Sequence, residues 1–193
     1  MTRVEQLRSY LITNAYWMAV EAMEFASRFH QGYRLNGDDE FSHPVEVALQ
    51  LVESDTPMEY PEETLTAALL HDLCEDYDIP FDAILTRFGP MVEKAVRALT
   101  KTHRGMTFSF DAKMLEAARC PIASLVKASD RLHNVETMEG AFSPKKAITY
   151  IDETEMQPDD AQTLIADLEI GEHRPARLKR GQCQGFRVEH LDA

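Results

Sequence analysis

Apolar residues recur at the helical period of 3.6 along nearly the whole chain, and no segment alternates as a strand would. That spacing admits few folds. Residues 15–29 place Met18, Ala22, Phe25, Ala26 and Phe29 on one face, with Asn14 as the N-cap. A loop between Gly32 and Gly37 leads to His43, and Pro44 opens a second helix to about Val52. A third runs from Pro61 to Asp76 and is apolar from Leu65 to Leu73. Pro80 and Pro90 start two more, separated at Phe88-Gly89. Thr102 to Phe108 lacks a period and reads as a loop. Helices follow over 109–119, 121–138, 144–155 and 158–170. The fold class is therefore all-α, a bundle of about seven to ten helices.

The 193 residues suit one domain, expected over 1–170. Beyond it, 171–193 form a basic tail carrying Arg174, Arg177, Lys179, Arg180 and Arg187. A solvated tail is its simplest reading; self-association into a homo-oligomer is compatible with it but specified by nothing in the sequence. The net charge of −13 disfavours non-specific nucleic-acid binding, which needs a positive surface. It also means that a phosphorylated substrate must find its cations locally. No stretch is long and apolar enough for a membrane span. The first residues lack a secretory signal's apolar core, so a cytoplasmic location is expected. Cys74, Cys120 and Cys183 form no CxxC pair and are expected to be reduced.

The candidate chemistry begins at His71-Asp72, which follows the apolar run Ala67-Ala68-Leu69-Leu70. An imidazole and a carboxylate there are expensive to desolvate without a partner, and a cation satisfies both. His43 precedes Pro44, and Asp130 lies among Leu125, Val126, Ala128 and Leu132. Two His and two Asp from three helices can converge in a bundle core and leave open coordination positions. Glu75 and Asp76 lie three and four residues beyond Asp72, one helical turn on. They are candidates to orient or deprotonate a water beside a metal. Asp130, Asn134 and Thr137 share a face at i, i+4 and i+7, a candidate substrate strip; His133 is off that line and reads as structural. Arg34, in the loop before His43, is a candidate phosphate or base contact. Lys101, His103 and Arg104, and Lys127 and Arg131 around Asp130, are further basic groups able to face phosphate, although an ion pair on this acidic surface is the commoner outcome.

His43…His71-Asp72…Asp130 resembles the HD superfamily of metal-dependent phosphohydrolases, and more narrowly the hydrolase domain of Rel/SpoT proteins and the stand-alone small alarmone hydrolases. The resemblance rests on His30-Gln31-Gly32 through His43-Pro44, on HDxxED at 71–76, on Leu99-Thr100-Lys101, and on Ser129-Asp130-Arg131-Leu132-His133-Asn134 with Thr137. It covers roughly residues 20 to 155. The resemblance implies an all-α HD-domain helical bundle and one divalent ion, Mn²⁺ by preference with Fe, Zn or Mg as alternatives. It implies removal of the 3′-pyrophosphate of guanosine tetra- or pentaphosphate, giving GDP or GTP. His43, His71, Asp72 and Asp130 would be ligands, Glu75 and Asp76 would activate water, and Arg34, Asn134 and Thr137 would hold the nucleotide. No synthetase segment follows, so no alarmone synthesis is expected.

The chain departs from that pattern at Phe41, where the family has tyrosine, at Tyr77, where it has threonine, and at Glu136, where arginine is common. These changes bear on the substrate more than on the chemistry. Two other readings therefore stay open. One is hydrolysis of a different nucleotide: a nicotinamide dinucleotide phosphate (NADPH), an adenosine alarmone or a nucleoside monophosphate. The other is a non-catalytic nucleotide-binding module, which would not need two extra acids beside a metal site.

Overall fold

The computed structural model describes residues 1–138 apart from Asn36 and Asp55, together with 142–143, 145–148 and Tyr150. As far as residue 138, the described residues form eight helices and one hairpin of two-residue strands. The helices are α1 (Arg3–Thr13), α2 (Trp17–Ala26), α3 (Ser42–Glu53), α4 (Pro61–Leu70), α5 (Leu73–Asp76), α6 (Phe81–Leu99), α7 (Phe110–Ala118) and α8 (Pro121–Glu136). The all-α reading holds. None of these helices is long and apolar enough to cross a membrane.

The chain folds around α4. Every residue from Thr64 to Leu70 is buried, so this helix is covered on all sides. It packs against α2, α3, α6 and α8. Its two threonines are satisfied internally: Thr64 Oγ1 donates to the Tyr60 carbonyl and Thr66 Oγ1 to that of Glu62, each at 2.7 Å. Leu65, Leu69, Leu70, Val45, Leu49, Val92 and Val96 fill the surrounding core.

The structure corrects the sequence reading in three places. The N-terminal segment is a helix, α1, started by a capping box in which Thr2 accepts from the Glu5 amide and Glu5 from the Thr2 amide. Its Leu7 and Leu11 are fully buried. Asn14 consequently caps the C-terminus of α1, not the start of α2, and Ala15 turns the chain at φ 57°. The helix expected over 61–76 breaks at His71-Asp72, where Asp72 moves to φ −91°, ψ −12°. The loop over 102–108 contains a hairpin, β1 (Thr102–His103) against β2 (Met106–Thr107), closed by Arg104 and Gly105 at φ 50° and 77°. The break expected at Gly89 is present as a kink within α6, with Gly89 at φ 82°. Residues 145–148 are helical; the rest of the segment expected over 144–155 is not described apart from Tyr150, and the 158–170 helix and basic tail lie outside the described residues.

Candidate metal centre and its cleft

At the junction of α4 and α5, His71 and Asp72 meet His43 from the start of α3 and Asp130 from α8. His43 Nε2 lies 3.5 Å from Asp72 Oδ2 and 3.3 Å from Asp130 Oδ1. His71 Nε2 lies 3.0 Å from Asp72 Oδ2 and 3.8 Å from Asp130 Oδ1. Ligand atoms of His43, His71 and Asp72 fall within 4.8 Å of one another. His43, His71 and Asp130 are buried, with relative exposures of 6%, 4% and 6%.

This donor set fits a divalent cation. His71 Nδ1 donates to the Ala68 carbonyl at 2.8 Å, which leaves the Nε2 lone pair directed at the carboxylates. Yet Nε2 has no hydrogen-bond partner in the protein, despite the closeness of Asp72. An orphaned nitrogen among a second imidazole and two carboxylates is what a cation would satisfy. Without one, burial opposes the His71 imidazolium, but Asp72 and Asp130 hold its pKa well above the ordinary histidine value. Asp130 is held well below the carboxylate range by Lys127 and the two histidines, against the effect of burial.

His43 and Asp130, like His71, are held from behind. Lys127 Nζ donates to Asp130 Oδ2 at 2.8 Å, and Asn134 Nδ2 donates to Oδ1 at 2.6 Å. The Asn134 oxygen in turn accepts from Arg34 Nη2 at 2.9 Å. Arg34 is thus linked through Asn134 to Asp130, from a loop a hundred residues away in sequence. Behind His43 stands His133, with the two Nδ1 atoms 2.9 Å apart. Burial, His43 and Arg34 push His133 down to about 4, so it is neutral near pH 7.

The two acids beyond the ligands differ. Glu75 Oε2 accepts from the Lys101 amide at 2.6 Å and the Thr102 amide at 3.3 Å, which anchors it to β1. β1 is fixed in turn by His103, buried against Phe81 and donating from Nδ1 to the Cys74 carbonyl at 2.8 Å. Asp76 is more open to solvent, but the enclosure of its carboxyl and the nearby Asp72 and Glu75 charges push it up to about 6.

All nine residues singled out as site candidates line one cleft of about 870 Å³. Thr137 lines it at the end of α8, although its hydroxyl also donates to the His133 carbonyl. Lys101, Lys113, Lys127, Arg131, Lys145 and Lys146 line it too, so with Arg34 a chain with 13 excess negative charges places seven cations beside the five carboxylates of one cavity. Sequence reasoning did not single out Lys113, Lys145 or Lys146, because only the fold brings them to the cleft. His133, read from the sequence as structural, meets His43, ninety positions away in the chain.

The family model described as HD domain matches residues 22–156. A protein of Aquifex aeolicus (strain VF5) named guanosine-3′,5′-bis(diphosphate) 3′-pyrophosphohydrolase is 39% identical over 123 residues, 61% of this chain and 17% of that protein. One of Brucella melitensis named GTP pyrophosphokinase rsh is 36% identical over 143 residues, 69% of this chain and 18% of the relative. The chain thus spans less than a fifth of these two relatives. A solved structure described as a metazoan ortholog of SpoT that hydrolyzes ppGpp superposes with a TM-score of 0.60 at 25% identity, covering 78% of this chain and 85% of that one.

Proposed function

This chain belongs to the HD domain family, and on that footing we propose that it is a metal-dependent hydrolase of guanosine tetra- and pentaphosphate, releasing pyrophosphate from the 3′ position. The orphaned His71 Nε2, facing His43, Asp72 and Asp130, carries the reading. These four residues would hold one divalent ion; imidazole and carboxylate donors suit Mn, Fe or Zn, and the resemblance to the Rel/SpoT hydrolase domain favours Mn²⁺ among them. Such an ion would supply Lewis acidity, stabilising charge on a phosphoryl oxygen and activating water near neutral pH.

The chain's own residues would do the rest. Glu75, fixed by the Lys101 and Thr102 amides, and Asp76 beside it orient the water and receive its proton. The water oxygen bonds to the phosphorus attached to the 3′ oxygen, and the bond from phosphorus to that oxygen breaks. The 3′ oxygen leaves and takes up the proton that the two acids received from the water, giving the hydroxyl of GDP or GTP, while the water's OH stays on the released pyrophosphate. Arg34, Asn134 and Thr137 hold the nucleotide, and the cations around the cleft offset the charge of its phosphates. The kinship in sequence with the Aquifex protein and in fold with the metazoan hydrolase supports this substrate over other nucleotides.

The test is incubation with Mn²⁺ and guanosine tetraphosphate, and separately with NADPH, an adenosine alarmone and a nucleoside monophosphate, with phosphate and pyrophosphate measured independently. Pyrophosphate from the guanosine substrate alone is the expected result. Phosphate from another member of the panel, with none from guanosine tetraphosphate, would replace the substrate and leave the metal chemistry standing.

A further inference from the structure

We propose that His133 is a positioning residue that sets the protonation form of His43, holding the Nε2 lone pair of His43 toward the metal. This deepens the metal reading above and rests on it.

The geometry leaves few choices. Two imidazole Nδ1 atoms 2.9 Å apart share one hydrogen, so one ring donates and the other accepts. His43 can ligate through Nε2, the atom that faces Asp72 and Asp130, only if its own hydrogen is on Nδ1. His43 is then the donor, and His133 accepts on Nδ1 while carrying its hydrogen on Nε2. His133 also lines a pocket with the acidic residues Asp38, Asp39 and Glu46.

The two ligand histidines are thus set by different means. His71 uses a backbone carbonyl, which can only accept, so no side chain is needed to fix it. His43 sits in the first turn of α3, where the chain before it has just left a loop; its Nδ1 is met by a side chain of α8. Asp130 lies one helical turn before His133 on that same helix. One rigid element therefore supplies a ligand and orients another. The rings tilt 45° with centroids 4.9 Å apart, so packing is also present and must be separated from the hydrogen bond.

Two substitutions separate them. His133→Asn keeps an acceptor where Nδ1 stood and loses the ring's volume. His133→Leu keeps much of the volume and loses the acceptor. The readouts are the Mn²⁺ dissociation constant, from the electron paramagnetic resonance signal of free Mn²⁺, and the melting temperature of the metal-free chain. H133L should bind Mn²⁺ about 10- to 100-fold more weakly, the usual effect of losing a ligand's supporting hydrogen bond. H133N should stay within about threefold of the unsubstituted chain although it melts lower. Equal binding by H133L, or weakening in H133N as large as in H133L, would overturn the proposal by making the contact one of packing alone. Should H133L not fold, His133→Phe replaces it under the same criteria. If the unsubstituted chain binds no divalent ion, the metal reading and this inference both fall. If it binds and H133L matches it, only this inference falls.

Discussion

The floor and the rim of the cleft are built on opposite plans. At the floor, His43, His71 and Asp130 are buried and each is held by a further group: His133, the Ala68 carbonyl, and the pair Lys127 and Asn134. At the rim, Lys101, Lys145 and Lys146 are exposed. Buried, cross-linked ligands keep their geometry before anything binds, so they can act on reacting atoms without reorganising. Exposed lysines attract an anion from a distance, through solvent and salt that weaken them. The floor should therefore govern whether the reaction occurs, and the rim how readily substrate arrives.

The hardest test of that division is at the floor. His71→Ala should abolish metal binding and lower kcat/KM by at least about 10³-fold while circular dichroism stays helical. Turnover persisting within tenfold would mean that the floor is not the reacting centre. Next in size is Glu75→Gln, for which kcat should fall about 10²- to 10⁴-fold with metal content unchanged, as measured by elemental analysis beside steady-state kinetics. Metal loss in that variant would move Glu75 into the ligand set and blur the boundary between ligands and acids.

An intermediate effect is expected between the regions, at the hairpin. His103→Ala removes the donor to the Cys74 carbonyl and the ring against Phe81. Urea unfolding should show a loss of about 1 to 3 kcal/mol. In the folded variant kcat should drop more than KM rises, because β1 holds Glu75. A KM effect alone would assign the hairpin to the rim. The smallest change belongs to Lys101→Ala, whose backbone amide still holds Glu75. Its KM should rise a few-fold at low salt and converge on the unsubstituted value at about 0.5 M salt, where the Debye length is only a few ångströms. A salt-independent loss would make Lys101 a direct contact.

The same contrast explains what the sequence made legible. His71, Asp72 and Asp130 were recognisable because each is a polar group against an apolar helical run, a local signal, whereas His43, between Ser42 and Pro44 at a helix start, was recognisable only in combination with them. The central burial of α4 followed from its unbroken apolar stretch. The hairpin was missed because two-residue strands are too short to alternate; Gly105 was its one mark. Helix α1 was missed despite the legible pair Thr2 and Glu5, since Leu7 and Leu11 offered only a thin apolar stripe. The helix break at His71-Asp72 follows no breaker residue in the sequence. The tie between His133 and His43, and the gathering of Lys113, Lys145 and Lys146, depend on contacts between distant parts of the chain.

The central claim is that a preassembled set of two histidines and two aspartates holds one metal ion on which hydrolysis depends. Metal-stripped protein should be titrated with Mn²⁺ while bound metal and pyrophosphate release from guanosine tetraphosphate are followed together. Turnover that is absent without metal and rises in proportion to occupancy, reaching its plateau at one ion per chain, is the predicted result. Full turnover by metal-free protein, or saturation of the site without any hydrolysis, would contradict it.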